Sequence, residues 1–86
     1  MTRYLVQGAE SKERLAIIIG LTKLSSEDMI EALIDHLCLG RSESLSISMN
    51  GVTQSNFNRA LTRLNEVAGE IEKLKEMDWA GHKSVK

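Results

Sequence analysis

Residues 50–64 read Asn-Gly-Val-Thr-Gln-Ser-Asn-Phe-Asn-Arg-Ala-Leu-Thr-Arg-Leu, and the rest of the chain is interpreted from this stretch outward. Asn50 and Gly51 tolerate a positive φ at low steric cost, and Thr53 can cap the first turn of a helix. The apolar residues that follow recur every three or four positions, on one helical face: Phe57, Ala60, Leu61, Leu64, Ala68 and Ile71. The stretch therefore predicts a tight turn that leads directly into an amphipathic helix.

The opposite face of this helix is polar and carries no acid. With about 100° of rotation per residue, it consists of Ser55, Asn58, Arg59 and Thr62. Amides and hydroxyls exchange hydrogen bonds with base edges, and a guanidinium reaches bases or phosphates. The face is typical of the second helix of a helix-turn-helix, although an ordinary solvated helix face is compatible with the same short pattern.

The composition favours a small helical domain. The chain has 86 residues, no proline, and one residue each of tryptophan, tyrosine and phenylalanine. Leu, Ile, Ala and Met dominate the apolar residues, which favours helices over a sheet, so the predicted fold class is all-α with one domain over residues 1–86. A core of this size is only just sufficient for independent folding, and we therefore expect a dimer or larger oligomer.

Two features bear on where the protein acts. Cys38 is the single cysteine and cannot form an internal disulfide, and no charged-then-apolar signal segment opens the chain. The longest apolar run, residues 15–21, is far shorter than the roughly 20 residues that span a bilayer. We expect a cytoplasmic protein without a membrane partner.

The charge is distributed unevenly along the chain. A formal net charge of −1 excludes a protein that coats nucleic acid through bulk charge. However, residues 41–64 hold three arginines against a single glutamate, whereas residues 25–39 hold four acids and no lysine or arginine. The predicted turn and its helix are therefore locally basic, and the preceding helix is acidic.

The first part of the chain predicts an arm and a helix. Residues 1–10 lack periodicity, so we predict an arm that is mobile or contributes a partner contact. A helix is predicted from about Ser11, a possible N-cap, through an apolar stripe that reaches Ile19. Gly20 is expected to end or loosen this helix.

The second helix is predicted to open at Ser25-Ser26-Glu27-Asp28, a serine cap followed by acids, and to close at Gly40 in a left-handed conformation. Its apolar stripe consists of Met29, Ile30, Leu33, Ile34, Leu37 and Cys38. His36 and Cys38 lie on this helix, but a zinc site needs about four ligands and a nucleophile needs an oriented base. The sequence supplies neither set, so we predict no metal site, no cofactor and no enzyme.

The pattern of residues 41–49 is compatible with either a strand or a short helix. Leu45, Ile47 and Met49 alternate with serines, which is a strand period, and serine is a poor residue for helix interiors. The segment is nevertheless bounded by glycines at 40 and 51, and an isolated strand is not stable. We favour a short helix over an extended segment.

Beyond residue 64 the apolar stripe continues. Spacings of four, three, four and three relate Ala60, Leu64, Val67, Ile71 and Leu74, a coiled-coil-like seam. A single helix of about 25 residues would reach nearly 40 Å, more than a small domain can bury. The seam predicts pairing with another subunit, with packing against the first two helices as the alternative. Residues 78–86 are predicted to be a frayed tail.

The chain from about Ile17 to Leu74 resembles the PapB-type regulators of bacterial fimbrial (adhesin) operons. The second helix matches that pattern at Ser26, Glu27, Ile30, Ala32, Leu33, Asp35, Leu37 and Gly40. The turn and the helix after it match the pattern at Gly51-Val52, Phe57 and Leu61-Thr62-Arg63-Leu64. The resemblance implies an all-helical, oligomeric, DNA-binding transcription regulator of adhesin genes that acts at A/T-rich repeated sites.

The chain departs from the family pattern at the short helix. Where the family has a basic pair, this chain has Glu43 and Ser44, and apolar family positions fall on Ser46 and Asn50. Arg41, at a neighbouring position, is expected to replace some of the missing charge.

Two functional hypotheses follow. In the first, the protein binds double-stranded promoter DNA: Arg41, Arg59 and Arg63 meet phosphates or a narrow minor groove, and Gln54, Ser55, Asn58 and Thr62 lie nearest the base edges. In the second, it is a helical interaction module that regulates by mixed oligomerisation with a related regulator through the seam of residues 60–74.

Overall fold

The computed structural model describes the backbone of residues 4–84 and the side chains of residues 4–77. This part of the chain contains four helices and no strand: α1 Lys12–Thr22, α2 Glu27–Leu37, α3 Glu43–Asn50 and α4 Gln54–Ser84. The predicted all-α fold class with a long C-terminal helix is confirmed. None of the helices described is long and apolar enough to cross a lipid bilayer.

Hydroxyl side chains fix where the helices begin. The hydroxyls of Ser11, Ser26 and Ser42 each accept a hydrogen bond from the backbone N–H three residues further on. Thr53 Oγ1 accepts from the N–H of Asn56 at 3.2 Å. Such caps satisfy otherwise unpaired amides and are each worth about 1 kcal/mol. The predicted starts of α1 and α4 are therefore confirmed, and α2 uses Ser26.

Gly20 does not end α1, which was one of the two outcomes predicted for it. The helix continues to Thr22, and Lys23 follows it with φ 59° while its N–H donates to the carbonyl of Gly20. Leu15, Ile18 and Ile19 are buried on the inner side of α1, which packs mainly against α4. These apolar contacts, made by the turns before the glycine, outweigh its low helix propensity.

The core lies where α1, α2 and α4 meet. Its buried apolar residues are Leu5, Leu15, Ile18, Ile19, Met29, Ala32, Leu33, Leu37, Phe57, Leu64, Val67 and Ala68. On α4, Phe57 is fully buried, and Ala60, Leu61 and Ile71 are half-buried against the same core. The apolar face predicted for this helix is confirmed.

Residues 43–50 form the short helix α3, as favoured in the sequence analysis. The strand-like alternation does not mark a buried face, because Leu45 and Met49 are exposed while Ser46 is fully buried. The helix is held between the cap at Ser42 and the left-handed Gly51, and it packs chiefly on α2. The caps at both ends and the packing on α2 therefore stabilise a helix that its serine-rich composition does not favour.

The N-terminal segment docks onto its own domain, an outcome that differs from both alternatives predicted for the arm. Leu5 is buried in the core, and the N–H of Gly8 donates to the carbonyl of His36 on α2. Asn65 Oδ1 on α4 accepts from the N–H groups of Tyr4 and Leu5, at 2.7 and 3.2 Å. Residues 1–3 of the predicted arm lie outside the described residues.

A glycine on α4 makes room for this segment. Gly69 is buried, and a Cβ built on it would lie 2.6 Å from Cε2 of the Tyr4 ring. No larger residue fits without displacing the ring. The N-terminal segment is therefore seated in a notch of α4 that only glycine leaves open.

α4 is longer than predicted. Its 31 residues end at Ser84, a rod of roughly 47 Å at about 1.5 Å per residue. The tail predicted for residues 78–86 has a helical backbone as far as Ser84. The side chains of residues 78–84 and all of residues 85–86 lie outside the described part, so fraying stays a prediction.

Candidate nucleic-acid interface

A turn of three residues, 51–53, joins α3 to α4. Gly51 has φ 65° and its N–H donates to the carbonyl of Ile47, which ends α3 in a left-handed cap. The N–H of Val52 also donates to the carbonyl of Ile47, and Thr53 then caps α4, so hydrogen bonds fix both ends of this short connection. The order of a short helix, a tight turn and a longer helix is that of a helix-turn-helix motif.

The polar face predicted for α4 is exposed in the structure. Gln54, Ser55, Asn58, Arg59 and Thr62 are all open to solvent at the start of the helix. Gln54 Nε2 donates to Asn58 Oδ1 at 3.0 Å, which aligns the two amides along one side of α4. Side chains with both hydrogen-bond donors and acceptors are thus exposed along this side of α4.

Glu43, at the start of α3, reaches this polar face. Gln54 Nε2 donates to Glu43 Oε1 at 3.4 Å, and Glu43 Oε2 lies 4.0 Å from His36 Nε2. The two oxygens of Glu43 therefore bridge α4 and α2. An acid lies beside the exposed amides, where it opposes the approach of a phosphate.

His36 connects this acid to the core, a role that the sequence did not indicate. Its Nδ1 lies 2.8 Å from the carbonyl oxygen of Arg41, and its ring meets the ring of Phe57 edge-on at a centroid distance of 5.8 Å. Only 5% of His36 is exposed. The residue packs where α2, α3 and α4 meet and holds the start of α3 in place.

The three arginines predicted to contact DNA differ in their surroundings. Arg41 Nη1 lies 3.7 Å from Asp35 Oδ2, and Arg63 Nη1 lies 3.8 Å from Glu66 Oε1. Arg59 is exposed and makes no ion pair with any residue in the described part of the chain. Arg59 is therefore the one of these three arginines that has no carboxylate partner within the described residues.

The structure brings two of these arginines together and leaves the third apart. Arg59 and Arg63 line one open groove; its other lining residues are Leu24, Ser26, Met29, Asn56 and Ala60. Arg41 lies instead against α2 and α3, where its Nη1 also donates to Met49 Sδ at 3.2 Å. The three arginines predicted as one basic region therefore lie on two different sides of the α3–turn–α4 unit.

A buried polar network explains the position of Arg41. Asn50 Nδ2 donates to Asp35 Oδ2 at 2.9 Å and to the carbonyl of Ser46 at 2.8 Å. Asp35 is only 8% exposed, and its carboxylate accepts from Asn50 while facing Arg41. Asn50 occupies a position that is apolar in the family pattern, yet its amide is paired. By contrast, the fully buried Ser46 Oγ has no hydrogen-bond partner among the described residues.

A cavity of about 320 Å³ adjoins the polar face between the N-terminal segment and the helices. It is lined by Leu5, Val6, Gln7, His36, Leu37, Glu43, Leu61, Thr62 and Asn65. Thr62 therefore belongs both to the predicted face and to the rim of this cavity. The contribution of residues 5–7 has no signal in the sequence, because it depends on contacts with a helix sixty residues away.

The seam predicted for oligomerisation is used largely inside the chain. Leu64 and Val67 are buried in the core, and Ala60 and Ile71 are half-buried. They pack within the domain, which was the alternative stated for the seam, because the same stripe of α4 faces α1 and α2. Of the five seam residues, Leu74 is exposed, with Met77 beyond it.

Cys38 is half-buried, and burial raises the pKa of its thiol, with a smaller opposing effect of Lys12 and a smaller raising effect of Glu10. A thiol with a raised pKa is a weak nucleophile at neutral pH. Within residues 4–77, no three His, Cys, Asp or Glu side chains are grouped so that they could hold a metal ion.

Comparison with known proteins places these features in context. Residues 1–77 match the model of the PapB family, described as "Adhesin biosynthesis transcription regulatory protein". The crystal structure of FocB from E. coli superposes with a TM-score of 0.79 at 25% sequence identity, over 85% of this chain and 83% of that one. A search of curated proteins found no match. The family match includes all of α1, α2, α3, the turn and the start of α4.

Proposed function

This chain belongs to the PapB family of adhesin biosynthesis transcription regulatory proteins, and from that membership we propose that it binds double-stranded DNA through the outer face of α4. The family is one of transcription regulators of fimbrial adhesin operons and not of enzymes. The proposal adds the mode of action: direct contact with promoter DNA by residues 54–63.

The observation that carries the proposal is an exposed helix start with an unneutralised arginine and no acid of its own. Gln54, Ser55, Asn58 and Thr62 supply amides and hydroxyls for base edges. Arg59, with Arg63 one turn further on, supplies charge for phosphates or for a narrow minor groove. Short polar residues around an arginine allow the helix to approach the duplex closely.

Arg41 has a secondary part in this proposal. Its guanidinium faces Asp35 at 3.7 Å, so a contact with phosphate requires it to leave or share a carboxylate. Charge already compensated within the protein contributes less to counterion release on DNA than an unpaired cation does. The proposal therefore assigns the larger electrostatic contribution to Arg59.

The sites and the assembly are part of the same proposal. A net charge of −1 makes non-specific binding weak, so the protein needs repeated sites and more than one copy to occupy a promoter firmly. A/T-rich repeats, whose minor groove is narrow and attracts arginine, are the sites that fit these residues and the family. We propose a cytoplasmic homo-oligomer on such sites.

Fluorescence anisotropy with labelled duplexes tests the proposal. The full chain is titrated onto an A/T-rich promoter fragment and onto a G/C-rich fragment of equal length, each at two salt concentrations. We expect tighter binding to the A/T-rich fragment, with an affinity that falls steeply as salt is raised. Binding that is absent at low salt, or that does not change between the two salt concentrations, would contradict direct DNA binding through these charges. Equal affinity for the two fragments would contradict the preference for A/T-rich sites.

A second function is favoured by Glu43, which stands where the family has a basic residue and lies beside the predicted DNA face. In this alternative the protein acts as an interaction module and regulates by forming mixed oligomers with a related regulator. Size-exclusion chromatography distinguishes the two: co-elution with a PapB-family regulator, together with no DNA binding at low salt, supports the interaction module.

A further inference from the structure

The cavity between the N-terminal segment and the helices combines apolar side chains with a few polar atoms. Leu5, Leu37 and Leu61 are among its lining residues, and its volume is about 320 Å³. Small-molecule sites typically measure about 300–1,000 Å³, so the cavity has the size of a site for a small ligand. The N–H of Gly8 donates to the carbonyl of His36, which holds the N-terminal segment on α2. The cavity is therefore already formed in the free protein.

His36 presents a hydrogen-bond acceptor to this cavity. Its Nδ1 lies 2.8 Å from the carbonyl oxygen of Arg41, which can only accept, so Nδ1 carries the hydrogen of the neutral imidazole. Nε2 is then the accepting nitrogen, and the described residues give it no hydrogen bond. Because His36 is buried, leaving this nitrogen without a donor costs free energy.

Glu43 places a second acceptor beside this nitrogen. Its Oε2 lies 4.0 Å from His36 Nε2, which is longer than a hydrogen bond, and two accepting atoms do not bind each other. The other oxygen of the carboxylate accepts from Gln54 Nε2 at 3.4 Å. A group that donates two hydrogen bonds satisfies both accepting atoms, and a positive charge on that group pairs with the carboxylate.

The described wall of the cavity supplies no cation for this position. None of its lining residues is a lysine or an arginine, and Glu43 lies within 4.0 Å of no Lys or Arg in the described chain. Gln7 Nε2 donates to the carbonyl of Gly40 at 2.8 Å, and Asn65 Oδ1 accepts from two backbone N–H groups of the N-terminal segment. Thr62 adds a hydroxyl to the wall, and a hydroxyl accepts as well.

We propose that this cavity binds a small organic cation, a primary ammonium group on a short apolar chain. The ammonium donates to His36 Nε2 and to Glu43 Oε2, and the Thr62 hydroxyl is a third acceptor for its three hydrogens. The apolar chain lies against the leucines of the wall. An anion is repelled by Glu43, and a neutral apolar molecule leaves both accepting atoms without a donor.

Binding of the amine has a consequence for DNA, and this step rests on the proposed function. Glu43 is the acid beside the exposed amide of Gln54, so an ammonium on its carboxylate compensates one negative charge next to the proposed DNA face. The affinity for DNA therefore rises when the amine is bound. By linkage, the complex with DNA binds the amine more tightly by the same factor.

An NMR titration of the full chain without DNA tests the site, so that its failure and a failure of DNA binding are separate results. The probe is hexylammonium at pH 8, where an alkylamine is protonated. Hexanol keeps the chain without the charge, and hexyltrimethylammonium keeps the charge without an N–H donor. We expect hexylammonium to shift the amide signals of residues 36, 43 and 61 saturably, with a dissociation constant of about 1 mM or lower, and both control molecules to bind at least tenfold more weakly.

Two charge-removing variants test the role of the carboxylate. Glu43→Gln keeps the shape of the side chain and removes its charge. Glu31→Gln is the matched control, because Glu31 is an exposed acid of α2 that makes no ion pair in the described chain. We expect Glu43→Gln to weaken the binding of hexylammonium at least tenfold and Glu31→Gln to leave it unchanged. Circular dichroism confirms that each variant is folded.

Three results would overturn the site. The first is the absence of a saturable shift with hexylammonium. The second is equal binding of hexanol or hexyltrimethylammonium, which is measured on the original chain and does not depend on the folding of a variant. The third is amine binding that Glu43→Gln leaves unchanged.

DNA anisotropy in the presence of the amine tests the coupling. The titration is repeated with saturating hexylammonium and with hexyltrimethylammonium at the same concentration, which matches the ionic strength. We expect a severalfold lower dissociation constant for DNA with hexylammonium only, and no such change in Glu43→Gln. The same effect with both cations, the same effect in Glu43→Gln, or an amine that binds without changing the affinity for DNA would overturn the coupling.

Discussion

The starts of α3 and α4 differ in what surrounds their charged residues. Both helices begin at a hydroxyl cap and both have an arginine nearby. At α3, however, Arg41 faces the carboxylate of Asp35, and Glu43 accepts a hydrogen bond from the amide of Gln54, so both charged groups have partners within the protein. At α4, Arg59 faces solvent without an ion pair inside residues 4–77. The difference shows that a locally basic sequence does not tell which of its charges is available to a ligand.

The two regions also differ in how their buried sides are built. α4 buries Phe57 and other apolar residues, whereas the fully buried residue of α3 is Ser46. The hydroxyl of Ser46 has no hydrogen-bond partner in the part of the chain that the structure describes, while the amide of Asn50 donates to Asp35. α3 is therefore held by caps and a polar network more than by apolar burial, and its stability is expected to be the lower of the two.

The largest predicted effect comes from removing the residue that joins the two regions. Phe57 is fully buried and its ring contacts His36, which in turn lies beside Glu43. Phe57→Ala should lower the free energy of unfolding by about 3–5 kcal/mol, measured by urea denaturation. Leu45→Ala, at an exposed position of α3, is the control and should change it by no more than about 0.5 kcal/mol. An unchanged melting temperature for Phe57→Ala would mean that the packing of α4 on α2 is wrong.

A smaller change in the opposite direction is predicted for α3. Ser46→Ala removes a buried hydroxyl for which residues 4–77 provide no hydrogen-bond partner, and it should raise the free energy of unfolding by about 1–2 kcal/mol. Ser48→Ala, on the exposed side of the same helix, changes helix propensity equally and is the matched control. If the free energy of unfolding rises equally in both variants, the hydroxyl of Ser46 is hydrogen-bonded. The contrast drawn between the buried sides of α3 and α4 would then be wrong.

The smallest predicted effect is on DNA affinity, through the acid at the start of α3. Glu43→Lys removes a negative charge beside Gln54 and places a positive one where the family has it, so binding should tighten by about 1 kcal/mol or less. Anisotropy at several salt concentrations measures the change. Glu76→Lys alters the net charge equally at a site roughly 33 Å along α4 from Gln54, at about 1.5 Å per residue, and should have little effect. An equal increase in DNA affinity for both variants would indicate that the net charge of the protein matters and not a local contact at residue 43.

Much of the fold was predictable because its signals are local. The serine and threonine caps, the glycine after α3 and the apolar face of α4 depend on neighbours within a few residues. The docking of the N-terminal segment was not predictable, because it depends on Asn65 and Gly69, which become neighbours only in the folded chain. Periodicity likewise showed that Leu64 and Val67 share a face, but not whether that face meets its own chain or another.

In the candidate site, too, local features were predictable from the sequence and contacts between helices were not. The exposed polar side of α4 followed from helical geometry, and the structure places all of its predicted residues in solvent. The pairing of Arg41 with Asp35, and the position of Glu43 between His36 and Gln54, involve side chains from different helices. Such contacts depend on how helices pack, so charge counting along the sequence could not distinguish Arg41 from Arg59.

The central claim is that DNA is bound at the outer face of α4 and that Arg59 supplies the main unneutralised charge there. The most direct test compares the salt dependence of DNA binding for the original chain, Arg59→Ala and Arg41→Ala by fluorescence anisotropy. A phosphate contact by Arg59 predicts that Arg59→Ala weakens all duplexes similarly and lowers the salt slope by about one, and base readout predicts a sequence-dependent loss of about 1–3 kcal/mol. In either case Arg41→Ala should have the smaller effect. If Arg59→Ala binds with the affinity and salt slope of the original chain, DNA is not bound at this face.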